Sequence, residues 1–168
     1  YGNRKKINIT NPSSSILVQN YSIAIVVDTT GINFQDDGDD LRIVYWNGST
    51  NVELDRFNDT IFDLTTTSIW FRIQSNISPG SYDSNYYMYY NNSDASNPPD
   101  NGSRVFEFFD DFNRADSGTV GNDWTESSGT WEILSNWVRN TNNGDSDLSR
   151  LSYTTTNHFI SRIAAAIT

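Results

Sequence analysis

The sequence predicts an all-β protein: an antiparallel β-sandwich of the jelly-roll or immunoglobulin-like kind, followed by a second, incomplete β-segment. Asn, Ser, Thr and Asp are abundant, whereas the 168 residues include only two Lys and four Glu, so good helix formers are scarce. Aromatic residues make up 14% of the chain and supply large apolar surfaces for a core. Strand-like segments recur roughly every 8–12 residues with turn residues between them, a spacing typical of sandwiches.

Alternating apolar residues and turn signals predict the strands in order. Ile23, Ile25 and Val27 occupy every second position and therefore share one face of a strand. The acidic turn 36–40 precedes one strand, and residues 47–50 separate two others as in a hairpin. The predicted strands of this part are residues 6–9, 16–18, 21–28, 41–46, 52–57, 61–64 and 69–73.

Two further strands are predicted before residue 110, at 86–90 and 104–109, with a polar loop between them. Residues 86–90 are almost all tyrosine, and alternate members of a strand face opposite sides of its sheet. One side therefore receives Tyr86, Met88 and Tyr90, and the other receives Tyr87 and Tyr89.

Several motifs of residues 1–109 stand in an order that is similar to one known family. They are Arg4-Lys5-Lys6-Ile7-Asn8-Ile9, Asp37-Gly38-Asp39-Asp40-Leu41-Arg42-Ile43, Ile69-Trp70-Phe71-Arg72-Ile73, Pro79-Gly80, and the tyrosine run followed by Asn91. Together they resemble the 2341 domain-of-unknown-function family of bacterial and archaeal surface proteins. Members often carry Tyr-Gly-Asn where this chain has Tyr90-Asn91-Asn92. The resemblance implies an extracellular β-module, one that commonly precedes concanavalin-like domains, and it implies no activity.

Residues 110–168 resemble the opening strands of a concanavalin-like jelly roll. The resemblance lies in the run from Asp110 to Trp124 and in the segments around Trp131 and Trp137. Such sandwiches usually exceed about 100 residues, so this segment is too short to complete one. Because a half-built sheet leaves open edges, we expect a neighbouring subunit to complete it; a domain cut short would look the same. The alanine-rich residues 160–167 could also pack closely against a neighbour.

Composition excludes several classes of function. The net charge of −10 argues against a nucleic-acid partner, and the only basic run is Arg4-Lys5-Lys6. Absence of cysteine excludes disulfides, thiol nucleophiles and thiolate metal sites. No stretch reaches the ~18 apolar residues of a membrane span. The chain begins at Tyr1, as expected of a mature secreted protein, although a trimmed chain would look the same. We therefore expect an extracellular, cell-surface location.

No catalytic centre is predicted, and we expect a protein that is not an enzyme. His158 is the only histidine and has no nucleophile elbow near it, so a strand or surface position is favoured. The four glutamates do not form the paired carboxylates of a glycosidase. They are Glu53, Glu107, Glu126 and Glu132.

No cofactor is required, but calcium is a possible ligand of three acidic clusters. Crowded carboxylates on a glycine turn supply the hard oxygen ligands that Ca²⁺ prefers. The first cluster contains Asp36, Asp37, Asp39 and Asp40; the others are residues 142–147 and the pair Asp110 and Asp111. The first does not match the calcium-loop pattern, so a structural turn is the favoured alternative.

Tryptophans and glycosylation signals give two further candidate sites. Trp124, Trp131 and Trp137 could stack on sugar rings, although a place in a sheet core is favoured for them. Asparagines in N-x-S/T signals are Asn8, Asn20, Asn47, Asn58, Asn76, Asn91 and Asn101. None occurs later in the chain, so the first region would carry sugar while the second stays bare for protein contacts.

The sequence therefore predicts a secreted, glycosylated structural or adhesive surface protein. We expect it to assemble with copies of itself, as a filament or surface array, by adding strands to a neighbour's sheet. The alternative is a carbohydrate-binding module of a larger protein that binds or degrades polysaccharides. A glycan hydrolase is a weaker third possibility, because the carboxylate pair is missing.

Overall fold

The computed structural model describes residues 1–31, 33–142 and 145–150 of the chain. The chain divides into two compact units, Tyr1–Glu107 and Phe108–Thr168. The predicted domain boundary, after residue 109, lies two residues C-terminal to this observed division. His158 and the alanine-rich residues 160–167 lie outside the described residues. Among the described residues, no helix combines the length and the apolar character needed to cross a bilayer.

The first unit is an antiparallel β-sandwich of seven strands in two sheets. One sheet has the order β1-β7-β3-β4 and the other the order β2-β6-β5. All pairings within these sheets are antiparallel, as the sequence predicted. In chain order the strands are β1 (Asn3–Thr10), β2 (Ser22–Val27), β3 (Arg42–Trp46), β4 (Asn51–Leu54), β5 (Arg56–Asn58), β6 (Thr67–Arg72) and β7 (Tyr82–Tyr90).

The core lies between the two sheets and is formed by alternate residues of their strands. In β6, Ile69 and Phe71 are fully buried, and they face Ile43 of β3 and Tyr86 of β7 across the sandwich. Tyr86 shows how the core accommodates a polar atom: its hydroxyl accepts a hydrogen bond of 2.6 Å from the backbone N–H of Gln74. Burial raises the pKa of Tyr86 to about 12, so this hydroxyl stays protonated at physiological pH.

The segment predicted as one strand at residues 52–57 forms two strands in different sheets. Leu54 ends β4 in the four-stranded sheet, and Arg56 begins β5 in the three-stranded sheet. Both side chains are buried, and the half-buried Asp55 lies between them. The alternation of buried and less buried side chains that predicted one strand therefore continues through residues 54–56. The backbone nevertheless leaves one sheet and joins the other at this point.

Three other predicted strands were wrong. Residues 16–18 form only an isolated bridge between Leu17 and Ile77, and residues 61–64 form a loop with bends at 62–64. Residues 104–109 were predicted as a strand, but a single helical turn, α1 (Gly102–Val105), occupies the start of this segment. Phe62 and Val105 are buried without joining a ladder, whereas Ile16, Val18 and Ile61 are exposed.

The second unit, as far as the structure describes it, consists of two antiparallel two-stranded sheets. β9 (Trp131–Leu134) pairs with β10 (Trp137–Asn140), as the predicted segments around Trp131 and Trp137 suggested. β8 (Trp124–Ser128) pairs with β11 (Asp147–Arg150). Val120 and Ile133 are its buried apolar residues among those described.

Candidate functional site

One side of the first unit is an open cleft between the edge strands β1 and β2. The cleft has a volume of about 430 Å³. Ile7 of β1 and Ile25 of β2 line its two walls, and Met88 of β7 lies between them. Phe34 stacks on Tyr90 at 4.7 Å between ring centroids, and both rings contribute to the lining. The cleft thus combines these apolar side chains with charged and polar ones, Lys5, Lys6, Asp28, Thr30 and Asn33.

β2 is an edge strand with no charged residue. Its six residues read Ser-Ile-Ala-Ile-Val-Val. Among the described residues it pairs with β6 alone, so its other edge offers backbone N–H and C=O groups. Ala24 and Val26 point away from the core, and Val26 is 66% exposed. Natural edge strands usually carry a charge, a proline or a bulge that discourages pairing, and β2 has none of these within its length.

The other three sheet edges are protected. β1 carries Arg4, Lys5 and Lys6, all exposed. β4 has only four residues, and its exposed Glu53 forms an ion pair of 3.3 Å with Arg42 of β3. β5 is covered by the chain itself, because its backbone exchanges two hydrogen bonds of 2.9 Å with residues 99–101. Among the described strands of the first unit, β2 is thus the edge strand that is neither charged nor covered by other backbone.

Sequence reasoning predicted β2 as a strand but did not identify its edge as a site. A usable signal was present in the sequence. Residues 22–27 form an uncharged, largely β-branched run, which contrasts with the basic run of β1. Such runs are typical of buried central strands, and only the sheet order shows that this one lies at an edge.

The acidic turn that was a candidate calcium site uses its oxygens within the protein. Asp40 is buried, and its carboxylate accepts hydrogen bonds from the backbone N–H groups of Gln35 at 3.0 Å and Asn91 at 2.7 Å. Asp37 accepts a bond of 3.0 Å from the N–H of Asp39. Asp36 lies exposed beside them. Across the described residues, no three carboxylates or other candidate ligands converge on one point that could hold a metal ion. The geometry agrees with a structural turn, and calcium binding stays a prediction.

A buried arginine lies beneath the same turn. Arg56 is 1% exposed and donates hydrogen bonds of 2.9 Å to the carbonyl oxygens of Gly38 and Leu41. A third bond of 3.1 Å goes to the side chain of Asn58, and the guanidinium lies 5.5 Å from the ring centroid of Phe62. A cation thus already occupies the position in which carbonyl oxygens of the turn converge.

The asparagines of the glycosylation signals all lie in the first unit. Five of them are exposed, and Asn58 and Asn101 are half-buried. Three also have structural roles: Asn47 caps the β3–β4 turn through Ser49 and Thr50, Asn58 bonds Thr60 and Arg56, and Asn76 accepts from Gln19. These roles give the three positions a reason to be asparagine without sugar, and their occupancy stays a prediction.

The three tryptophans of the second unit differ in exposure. Trp124 and Trp131 are half-buried, and their indole N–H groups donate to Asp110 and to the carbonyl of Ser128, both at 2.9 Å. Trp137 of β10 is 62% exposed. The structure therefore does not gather the three rings into one exposed platform, and Trp137 alone offers a largely open face.

Asp110, a candidate calcium ligand, is held inside the second unit by three donors. Its side chain is only 4% exposed and lies 2.6 Å from the guanidinium of Arg114. The N–H of Phe112 and the indole of Trp124 donate the other bonds, each 2.9 Å long. Burial alone would raise the pKa of Asp110, but these hydrogen bonds outweigh it, and the pKa is lowered from its ordinary value.

The lowered pKa makes the second unit sensitive to acid. A carboxylate whose pKa is lower in the folded state stabilises the fold above its unfolded pKa, about 3.9, and this contribution is lost as the pH falls through the folded value. We expect Asp110→Asn to cost about 1–3 kcal/mol at pH 7, since it removes charge-assisted hydrogen bonds. Urea unfolding at pH 7 and below pH 3 measures the effect. A cost that is equal at both pH values would contradict the assignment.

Comparison with known proteins places the chain in a family. A family model described as a domain of unknown function, DUF2341, matches residues 37–134. The match therefore begins later than the predicted span 1–109 and continues through β9 of the second unit. Neither the curated proteins nor the solved structures include a match, and the concanavalin-like continuation from Asp110 stays a prediction. Since the match covers more than half of the sequence, the chain belongs to the DUF2341 family.

Proposed function

We propose that this chain is a secreted, glycosylated structural or adhesive protein of the cell surface that assembles with copies of itself by strand addition. The observation that carries the proposal is the open edge of β2, six uncharged residues that pair on one side only among the described strands. Strand addition joins two chains through backbone hydrogen bonds, and apolar side chains on the added strand supply further contact. Filaments and surface arrays are both compatible with this mode of contact.

The glycosylation signals support a surface location. None of the seven asparagines lies within Ser22–Val27; Asn20 is two residues before β2, and its signal ends at Ser22. Sugar on the remaining surface would discourage nonspecific contacts between copies. The net charge of −10 acts in the same direction, because it keeps separate copies apart unless a specific contact overcomes the repulsion.

A non-enzymatic role agrees with the positions of the glutamates. Glu53 pairs with Arg42, and Glu132 pairs with Arg139. Glu126 accepts a hydrogen bond of 2.8 Å from the N–H of Val120. These contacts give three of the four glutamates structural partners.

Sedimentation of the whole chain over a wide concentration range tests the proposal. We expect reversible formation of dimers and larger species, and negative-stain images of concentrated protein should show regular assemblies. A chain that sediments as a monomer at every concentration contradicts self-assembly.

Carbohydrate binding is a second candidate, and the exposure of Trp137 favours it. A tryptophan that is 62% exposed on strand β10 offers an apolar ring face to a sugar. If this ring is the main contact, Trp137→Ala should weaken binding by about 2 kcal/mol. Affinity electrophoresis in gels that contain soluble xylan, β-glucan or galactomannan measures the change. Trp46→Ala is the matched control, since Trp46 is 38% exposed and lies in the first unit. Unchanged migration of the native chain in all three gels would remove this candidate.

A further inference from the structure

We propose that β2 pairs with β2 of a second copy, antiparallel and about a two-fold axis, so that two three-stranded sheets become one continuous six-stranded sheet. This inference rests on the proposed self-assembly and names the strand that performs it. An isologous contact requires a surface that is complementary to itself. Three properties of β2 meet this requirement.

Charge is the first property. In an antiparallel pair, like charges directly opposite each other are destabilising. Self-pairing of β1 would bring Arg4, Lys5 and Lys6 of two copies together, and self-pairing of β4 would oppose its glutamates. Residues 22–27 carry no charge, so β2 can meet its own copy without any such repulsion along the ladder.

Alternation is the second property. Opposite residues of an antiparallel pair face the same side of the sheet. The apolar faces of both strands therefore stay inward only in registers that place odd-numbered residues opposite odd-numbered ones and even-numbered opposite even-numbered. Two registers meet this condition and centre on β2. Either Ala24 lies opposite Ala24 of the second copy, or Ile25 lies opposite Ile25. In both, Ile23 and Ile25 stay on the core side and Ala24 and Val26 on the outer side.

The cleft beside β2 is the third property. Its apolar lining includes Ile7, Phe34 and Met88 together with Ile25. A strand added to β2 projects its inward side chains toward this cleft, so the second copy's β2 would cover apolar surface that the described chain leaves open. Each copy provides the same cover for the other.

One feature of the cleft opposes pairing and gives the contact a recognisable salt dependence. Lys5 and Lys6 lie at the same cleft with one acidic residue, Asp28, so pairing brings together two copies of a cleft that carries an excess of positive charge. The net charge of −10 on each copy adds further repulsion. Because salt screens both effects, association should strengthen as the ionic strength rises. Association that weakens with salt would instead indicate attraction between the basic β1 edge and an acidic surface.

Cysteine cross-linking tests the pairing directly, since the chain contains no cysteine of its own. Side chains directly opposite in an antiparallel pair have Cβ atoms about 4.5–5.5 Å apart, close to disulfide geometry. Under mild oxidation, Ala24→Cys should form a covalent dimer in the first register. A mixture of Ala24→Cys and Val26→Cys should cross-link in the second register. Ile61→Cys, at a position that is 74% exposed outside β2, is the control and should stay monomeric. Cross-linking of the control at the same rate, or of none of the variants, overturns the pairing.

Substitution of Val26 separates this inference from self-assembly itself. Val26→Lys places a charge on the exposed face of the edge strand and should weaken association at least about tenfold, because edge lysines discourage strand pairing. Ile61→Lys is the matched control and should leave association unchanged. If the native chain assembles and Val26→Lys assembles equally well, β2 is not the contact while self-assembly stands. If the native chain never assembles, both proposals fail.

Hydrogen exchange of a dilute monomer is a further test. Strong protection of the β2 edge in the monomer would show that another part of the same chain covers it, and would also overturn the pairing.

Discussion

Replacing Arg56 with alanine is expected to destabilise the first unit by about 3–5 kcal/mol, because the change leaves a buried carbonyl oxygen without a donor and creates a cavity. The side chain is 1% exposed. Its guanidinium joins β5 to the turn before β3 through Gly38 and Leu41, with both bonds 2.9 Å long. Among the described residues, loss of the guanidinium leaves the buried carbonyl of Leu41 without a hydrogen bond, whereas the carbonyl of Gly38 still accepts one of 3.0 Å from the N–H of Leu41.

The charge of Arg56 is stabilised mainly by neutral groups. Burial lowers the pKa of Arg56, and the carboxylate of Asp100 opposes this shift from 4.0 Å away. Burial likewise raises the pKa of Asp100, against the influence of Arg56. Each pKa shift disfavours the charged form of its group, so the attraction between Arg56 and Asp100 does not fully offset the cost of burying their charges. The carbonyl dipoles and the ring of Phe62 therefore supply the environment that keeps the buried cation in place.

Hydrogen exchange followed by mass spectrometry locates the effect of Arg56→Ala. Peptides from β5 and β6 should exchange faster, whereas peptides from β9 and β10 in the second unit should not change. Arg56→Met is the informative partner variant, because it restores most of the buried volume without restoring the hydrogen bonds. Exposed Arg4→Ala is the control for loss of one positive charge. If Arg56→Met is as stable as the native chain, the hydrogen bonds contribute nothing and the prediction is wrong.

Local patterns were sufficient to predict the fold class and the central strands. Ile23, Ile25 and Val27 show period-two alternation, and the structure places them on the inner side of β2. The tyrosine run predicted opposite faces, and Tyr86 and Met88 are indeed buried while Tyr87 and Tyr89 are half-buried. The prediction failed at Val105, which is buried in a helical turn, and at Ile16, Val18 and Ile61, which are exposed outside any strand. A short run of apolar residues therefore establishes neither the burial of each side chain nor the pairing of the backbone.

The candidate site depended on information that local patterns do not contain. Arg56 and the turn carbonyls that it contacts are 15 and 18 residues apart along the chain, so its role follows from the change of sheet between β4 and β5. The open edge of β2 likewise follows from sheet order, which is set by contacts between distant residues. The uncharged run was visible in the sequence, but its position at an edge was not.

Gly38→Ala is the second substitution with a large expected effect, about 2–4 kcal/mol of lost stability in the first unit. Gly38 has a φ of +74°, a conformation that side chains with a Cβ rarely adopt. A Cβ at this position would also overlap ring atoms of Phe62, which is itself 6% exposed. The ring lies against Arg56 as well, so it cannot move away without disturbing the buried guanidinium. The substitution therefore combines backbone strain with overpacking.

Two comparisons separate these contributions. Gly48→Ala tests strain alone, because Gly48 has a φ of +96° and no atom within 4 Å of the added Cβ; it should cost about 1–2 kcal/mol. The difference between the two glycine variants then measures the contact with Phe62. In the background of Phe62→Ala, the ring is absent, so Gly38→Ala should cost no more than Gly48→Ala does in the native chain. Such non-additivity is the expected result for two groups in contact. Equal costs of Gly38→Ala with and without the ring would show that backbone strain alone requires glycine in this turn.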